Sequence, residues 1–196
     1  MKIFFSTLLC ISTLACFAQQ KSFDIAVSYG AYNSPSFNQT RAKEHFAADF
    51  DYHASKRWTV SSGFVTGRFN YYDNTRPNAP TAILYTNDNT NARGYELHAY
   101  GMVKYRIIST DRFTLQAGAG IGLLNQRLEY PYREGSGTGS VYMNQSSFTD
   151  LEFPVSAEAY YLLGNRVGVG LKAGGFIEPD FPIVGLHIGP QIRIRL

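Results

Sequence analysis

The sequence predicts an all-β protein, an eight-stranded antiparallel up-and-down transmembrane β-barrel, on three observations. After residue 18 the apolar residues recur with period two, not with the helical period. The opposite parity of those same segments collects the ionisable side chains. The links between segments are alternately short and long, as in barrels that cross an outer membrane. After the leader no window holds eighteen consecutive apolar residues, which excludes a transmembrane helix. A membrane-embedded form must then be a closed barrel, because only closure satisfies every strand's backbone groups in hydrocarbon.

Residues 1–18 read as a signal peptide and residues 19–196 as the outer-membrane barrel domain. Lys2 gives a positive start, Ile3 to Phe17 is apolar with small hydroxyls and cysteines, and Cys16-Phe17-Ala18 sets small residues at the −3 and −1 positions of a cleavage site. A lipoprotein reading would lipidate Cys16, but Thr13 stands where a branched aliphatic is wanted. Cys10 and Cys16 both fall in the leader, so the barrel domain has no disulfide, thiolate metal site or cysteine nucleophile. With 18 Lys and Arg against 15 Asp and Glu, the charge is too balanced to suggest a nucleic-acid partner.

Eight apolar faces follow in order. The first is Phe23 to Ala31 in steps of two, the second Phe46 to Ala54, and the third Trp58 to Thr66. Tyr95 to Ile107 is the fourth, Phe113 to Leu123 the fifth, and Leu151 to Tyr161 the sixth. Val167 to Gly175 is the seventh, and Val184 to Leu196 closes the chain. None of these faces carries a charge. The other parity holds Asp24, Asp49, Asp51, Glu96, Glu152 and Glu158 with Lys104, Arg106, Lys172, Arg193 and Arg195, and all four histidines. A one-residue slip in any strand would mix the two sets.

Ser55-Lys56-Arg57, Ser109-Thr110-Asp111 and Gly164-Asn165 are hairpin turns. The remaining links, 32–44, 67–94, 125–150 and 177–183, are mostly long and polar, which puts both termini on the short-turn side. A soluble barrel would show the same alternation turned inside out. Lipid outside is favoured for three reasons. The charged parity is interleaved with glycines such as Gly63, Gly67, Gly118, Gly120 and Gly170, which make room in a narrow lumen. The apolar parity places Tyr52, Trp58, Tyr105, Phe113 and Tyr161 at one rim and Tyr29, Phe46, Phe64 and Tyr95 near the other, as interfacial rings are placed. Finally, 17% charge is low for a water-facing surface.

With these strands, the leader ending Cys16-Phe17-Ala18-Gln19-Gln20 and the terminal Gly185–Leu196 strand, the chain resembles OmpA/OmpX-like eight-stranded barrels. More closely it resembles the outer-membrane β-barrel proteins of Bacteroidetes, a Gram-negative group. The resemblance covers all of 19–196. It implies export by a cleaved signal peptide, integral residence in the outer membrane, and a terminal strand read by the barrel-insertion machinery. Leu196 stands where the family usually ends on an aromatic residue.

Glu96, Lys104, Arg106, Glu152, Glu158, Lys172, Arg193 and Arg195 form the expected lumenal charge network, with Glu96, Glu152 and Glu158 facing the five bases. The single His-x-Ser, His53-Ala54-Ser55, runs into the Ser55-Lys56-Arg57 turn and does not lie along a strand, so no catalytic residue is assigned; Glu96 and His98 are the nearest approach to a base with its orienting acid. His45, Asp49, Asp51 and His53 share a face but read as lumenal filling, so no metal or cofactor is assigned. The 125–150 link is expected to prolong strands five and six as a hairpin around Gly135–Ser140. Tyr130, Tyr132 and Tyr142 are its candidate contacts to an extracellular protein ligand. Arg41, Lys43, Arg68 and Arg93, near the long-loop rim, are candidate partners of lipopolysaccharide phosphates. The expected function is non-enzymatic, structural or adhesive through the long loops. The alternatives are a lipid A-modifying hydrolase and a narrow-pore, porin-like channel.

Overall fold

A computed structural model of the chain describes residues 22–37, 39–72, 92–133, 141–179 and 183–196. Alternating sequence becomes β1 (Phe23–Asn33), β2 (Arg41–His53), β3 (Trp58–Tyr71), β4 (Ala92–Ser109), β5 (Phe113–Arg133), β6 (Val141–Leu162), β7 (Val167–Ile177) and β8 (Gly185–Arg195). Each strand pairs antiparallel with its sequence neighbours, and β8 returns to β1, where Asp24 lies opposite Arg195 and Ala31 opposite Ile188. Within the ring no sheet edge is left open, whereas β6 before Phe153 and β5 beyond Glu129 pair only with each other. The signal region and the Gly135–Ser140 tip lie outside the described residues.

Burial decides between the two inverse barrels. Ile121, Leu123, Leu171, Ile188 and Ile192 are 55–58% exposed on the outer surface. Asp24, Asp51, Glu152, Glu158, Lys104 and Arg193 are no more than 1% exposed in the lumen. A barrel that buries its charges and exposes its aliphatics is suited to hydrocarbon, not water. Close packing explains the glycines of the inner parity. A Cβ on Gly67 would sit 2.5 Å from the Tyr32 ring, and one on Gly118 would sit 2.7 Å from Lys104 Cγ.

The tight turns, the start of β1 and the end of β8 share one rim, where Leu196 N donates to Phe23 O at 2.8 Å. At the other rim the strands run beyond their expected ends. The β5–β6 ladder continues from Leu123↔Leu151 through Tyr132↔Tyr142 to Arg133↔Val141, so the 125–150 link is largely a hairpin. One parity assignment fails. Val184 was expected on the lipid face but is buried, because it precedes β8 and donates its backbone N–H to Phe176 O, which folds it over the mouth. A register shift between Arg106 and Ile108 ends the strict alternation of β4 in the same way.

Candidate functional site

The lumenal side chains divide into two tiers. In the tier nearer the short turns, Lys104 Nζ lies 2.7 Å from Glu158 Oε1, 3.0 Å from Asp51 Oδ1 and 3.8 Å from Asp49 Oδ2. Arg193 donates to Asp51 Oδ2 at 2.5 Å and to Glu158 Oε2 at 2.6 Å, reaches Asp24 Oδ2 at 3.3 Å, and sits 4.4 Å over the Tyr160 ring. Lys172 Nζ bonds Asp49 Oδ2 at 2.5 Å and Tyr100 Oη at 3.0 Å, while Tyr100 donates to Asp49 Oδ1 at 2.6 Å. Arg195 closes on Asp24 at 3.4 Å. Asp24, Asp49, Asp51 and Glu158 thus face Lys104, Lys172, Arg193 and Arg195, a neutral set of the kind that burial demands.

The upper tier is acidic. Tyr32 donates to Glu96 Oε2 and lies 2.7 Å from His98 Nε2, and His98 Nδ1 lies 2.6 Å from Glu152 Oε2. Gln126 Nε2 and Ser34 Oγ both donate to Glu96 Oε1. The His98 ring stacks on Phe176 at 3.6 Å. Among the described residues no lysine or arginine makes an ion pair with Glu96 or Glu152. The expected facing of Glu96 and Glu152 by the five bases is therefore corrected. Eight residues of β4 separate Glu96 from Lys104, about 26 Å along an extended strand, beyond any lysine's reach. Arg106 also departs from the expected network, bonding His53 Nδ1 and Lys56 O near the short-turn rim. Because arginine can only donate, that His53 nitrogen accepts, and its Nε2 faces Asp24 Oδ2 at 2.8 Å.

Tyr32, Phe69, Tyr71, Tyr100, Met102 and Phe176 belong to a buried cluster that spans both tiers, from Tyr100 beside Lys172 to Tyr32 beside Glu96, and Phe37, Leu128 and Tyr130 pack against it. Sequence reading missed this plug, although Tyr100 and Met102 continue the His98 parity and Phe176 continues that of Gly174. At the mouth, Ser36, Phe37, Gln126, Leu128, Phe148, Glu178 and Val184 line a cavity of about 230 Å³. Glu178 follows the end of β7. Its carboxyl is pushed up to about 7, first by burial and then by the charges of Asp150, Glu152 and Glu96.

On the outer face of the long-loop rim, Lys43, Glu44, Arg68, Asn70, Arg93 and Tyr95 surround a groove of about 350 Å³. Arg68 pairs with Glu44 at 3.2 Å and lies 5.6 Å over the Tyr95 ring. Arg41 is opposite Asn70 in the ladder and outside the groove. Tyr130 is partly buried against the plug, whereas the side chains of Tyr132 and Tyr142 lie outside the described set. Glu96 and His98 meet at 3.4 Å, both sealed from lipid in the lumen. No group of His, Cys, Asp or Glu among the described residues could hold a metal ion.

The family model for the outer membrane protein beta-barrel domain matches residues 4–180. The chain belongs to that family. This integral outer-membrane barrel is also similar to Ail of Yersinia pestis, solved with the heparin analogue sucrose octasulfate, at TM-score 0.56 and 12% identity over 91% of this chain and 100% of that one. A second structure of Ail aligns at TM-score 0.53 and 10% identity over the same shares. The N-terminal barrel domain of Pseudomonas aeruginosa OprF aligns at TM-score 0.47 and 8% identity, over 90% of this chain and 100% of that one. At such identities the likeness is one of fold. None of the curated proteins matches the chain.

Proposed function

We propose that this outer-membrane barrel is a non-enzymatic adhesin whose lumen serves as a structural core and whose β5–β6 hairpin meets the extracellular partner. The hairpin is the observation that carries the reading. β5 and β6 have 21 and 22 residues, whereas β1, β7 and β8 have 11 each. The surplus of ten residues is about 30 Å of ladder held away from the membrane. Such a projecting sheet offers backbone edges to a protein ligand, with the Tyr132↔Tyr142 pair near its end, while Tyr130 is held against the plug. The ion pairs and rings packed across the lumen favour a plug over a channel.

Further parts of the reading are cleavage after Ala18, recognition of the Gly185–Leu196 strand by the insertion machinery, and contact of Lys43, Arg68 and Arg93, with Arg41 beside them, to lipopolysaccharide phosphates. The test compares outer-membrane-displaying cells carrying the full chain with cells in which residues 129–145 are replaced by a short Gly-Ser turn. Attachment to surfaces coated with matrix proteins or heparin is expected to disappear with the hairpin while heat-modifiable mobility persists. Equal attachment by both strains overturns the adhesive reading. Planar-bilayer recordings of the purified protein are expected to show no conductance steps, and regular steps would favour the channel.

A further inference from the structure

We propose that the mouth of the barrel is a binding pocket for a primary ammonium group carried on a short aliphatic chain. Three independent features converge there. The walls are apolar and come from separate elements: Phe37 from the β1–β2 link, Leu128 from β5, Phe148 from β6 and Val184 from the approach to β8. Gln126 pairs with Phe148 and Leu128 with Ser146 in the ladder, so these positions continue the inward parity of the hairpin above the lumen. At about 230 Å³ the cavity is smaller than the roughly 300–1,000 Å³ of drug-sized sites, which suits a chain of a few methylenes.

The second feature is Glu178, which lines this cavity, is only 6% exposed, and whose Oε1 has no hydrogen-bond partner. A buried carboxylate oxygen without a donor is costly, and an ammonium group supplies the missing donors and the opposite charge together. The third is the floor. Gln126 and Ser34 tie the pocket to Glu96, and Glu152 lies beyond His98 with its own Oε1 unpartnered. Lys104, Lys172 and Arg193 are committed to the lower tier. The mouth therefore opens onto carboxylates not offset by lysine or arginine, and a cleft with low-dielectric walls focuses that field. A neutral ligand would gain only its burial against the apolar walls, and an anionic one would be repelled by the carboxylates.

Glu178 also sets the pH dependence. It faces Asp150 and Glu152 from β6, Glu96 and His98 from β4, and Tyr32 from β1. Burial and the neighbouring carboxylates push its carboxyl up to about 7, so acidification removes the charge that binds the ammonium.

The full-length protein in lipid nanodiscs is titrated with n-pentylamine by ligand-observed NMR at pH 8.0 and 5.5, subtracting protein-free discs. 1-Pentanol is the neutral control. Saturable pentylamine binding is expected at pH 8.0, about tenfold or more stronger than pentanol, and falling by a similar factor at pH 5.5 or in Glu178→Gln. Glu178 lies outside the strands, and unchanged heat-modifiable mobility shows that the variant is folded. Nα-acetyl-lysine methylamide distinguishes the source: its binding admits a peptide's lysine side chain, whereas its failure beside pentylamine confines the site to free amines. No saturable pentylamine binding, equal binding of pentanol, or undiminished binding by Glu178→Gln each overturns the proposal. The adhesion assay is read separately, so either result leaves the hairpin reading standing or falling on its own.

Discussion

Replacing Lys104 by Met removes a buried cation from the centre of the neutral tier while keeping most of its volume. Lys104 is 0% exposed and touches Glu158, Asp51 and Asp49 at 2.7, 3.0 and 3.8 Å. Four carboxylates would then face three cations. Breaking one member out of a buried ionic set costs about 3–5 kcal/mol, a large share of the roughly 5–15 kcal/mol that holds a domain folded. Trp58, the sole tryptophan, lies half-exposed at the short-turn rim and reports unfolding of the vesicle-inserted barrel in guanidinium. Adding Glu158→Gln to Lys104→Met restores the balance at three against three. At least half of the lost stability is expected to return in the double variant. A single variant within about 1 kcal/mol of wild type, or a double variant that loses the sum of both singles, would refute the view that mutual charge satisfaction holds the lumen.

Other outcomes follow from the same packing. Ile188→Arg, which sets a charge on the outer face near the middle of β8, is expected to destabilise the inserted barrel by about 2–4 kcal/mol in the same titration. Gly67→Ala drives a Cβ to 2.5 Å from the Tyr32 ring and should cost about 1–3 kcal/mol, whereas Gly101→Ala, whose nearest neighbour is 4.0 Å away, should be nearly neutral. For Glu178 the folded carboxyl is raised above its ordinary 4.5, so its stabilisation is complete below that value and is lost as the pH rises through about 7. Corrected for the intrinsic base-catalysed rate, the protection of the Val184 amide, which bonds Phe176 O, is expected to fall across that window in wild type and not in Glu178→Gln.

The ring of strands was legible because each segment crosses a boundary between two solvents, and the two faces of a pleat then carry opposite chemistry. Glycine on the charged parity even indicated which face was inside, as Gly118 beneath Lys104 shows. Parity is silent about height. It could not tell that Glu96 and Glu152 lie far up the lumen from Lys104, nor that aspartates supply most of the partners in the lower tier. The acidic mouth was missed for a related reason. Glu178 and Val184 flank a link in which the chain leaves the ladder, and there the pleat no longer dictates where a side chain points. Tyr32 was read as the start of a loop, although its hydroxyl joins Glu96 and His98 in the upper tier.

The inside-out assignment is tested most directly by scanning β7 and β8 with single spin labels. The sequence makes this straightforward, since residues 19–196 contain no cysteine. Labels at 169, 171, 186, 188 and 192 in bilayers are expected to be relaxed strongly by dissolved oxygen and weakly by a water-soluble nickel chelate, with 187 and 191 shielded from both. Nickel accessibility peaking at 171, 188 and 192 would place those aliphatics in water and contradict the barrel orientation described above.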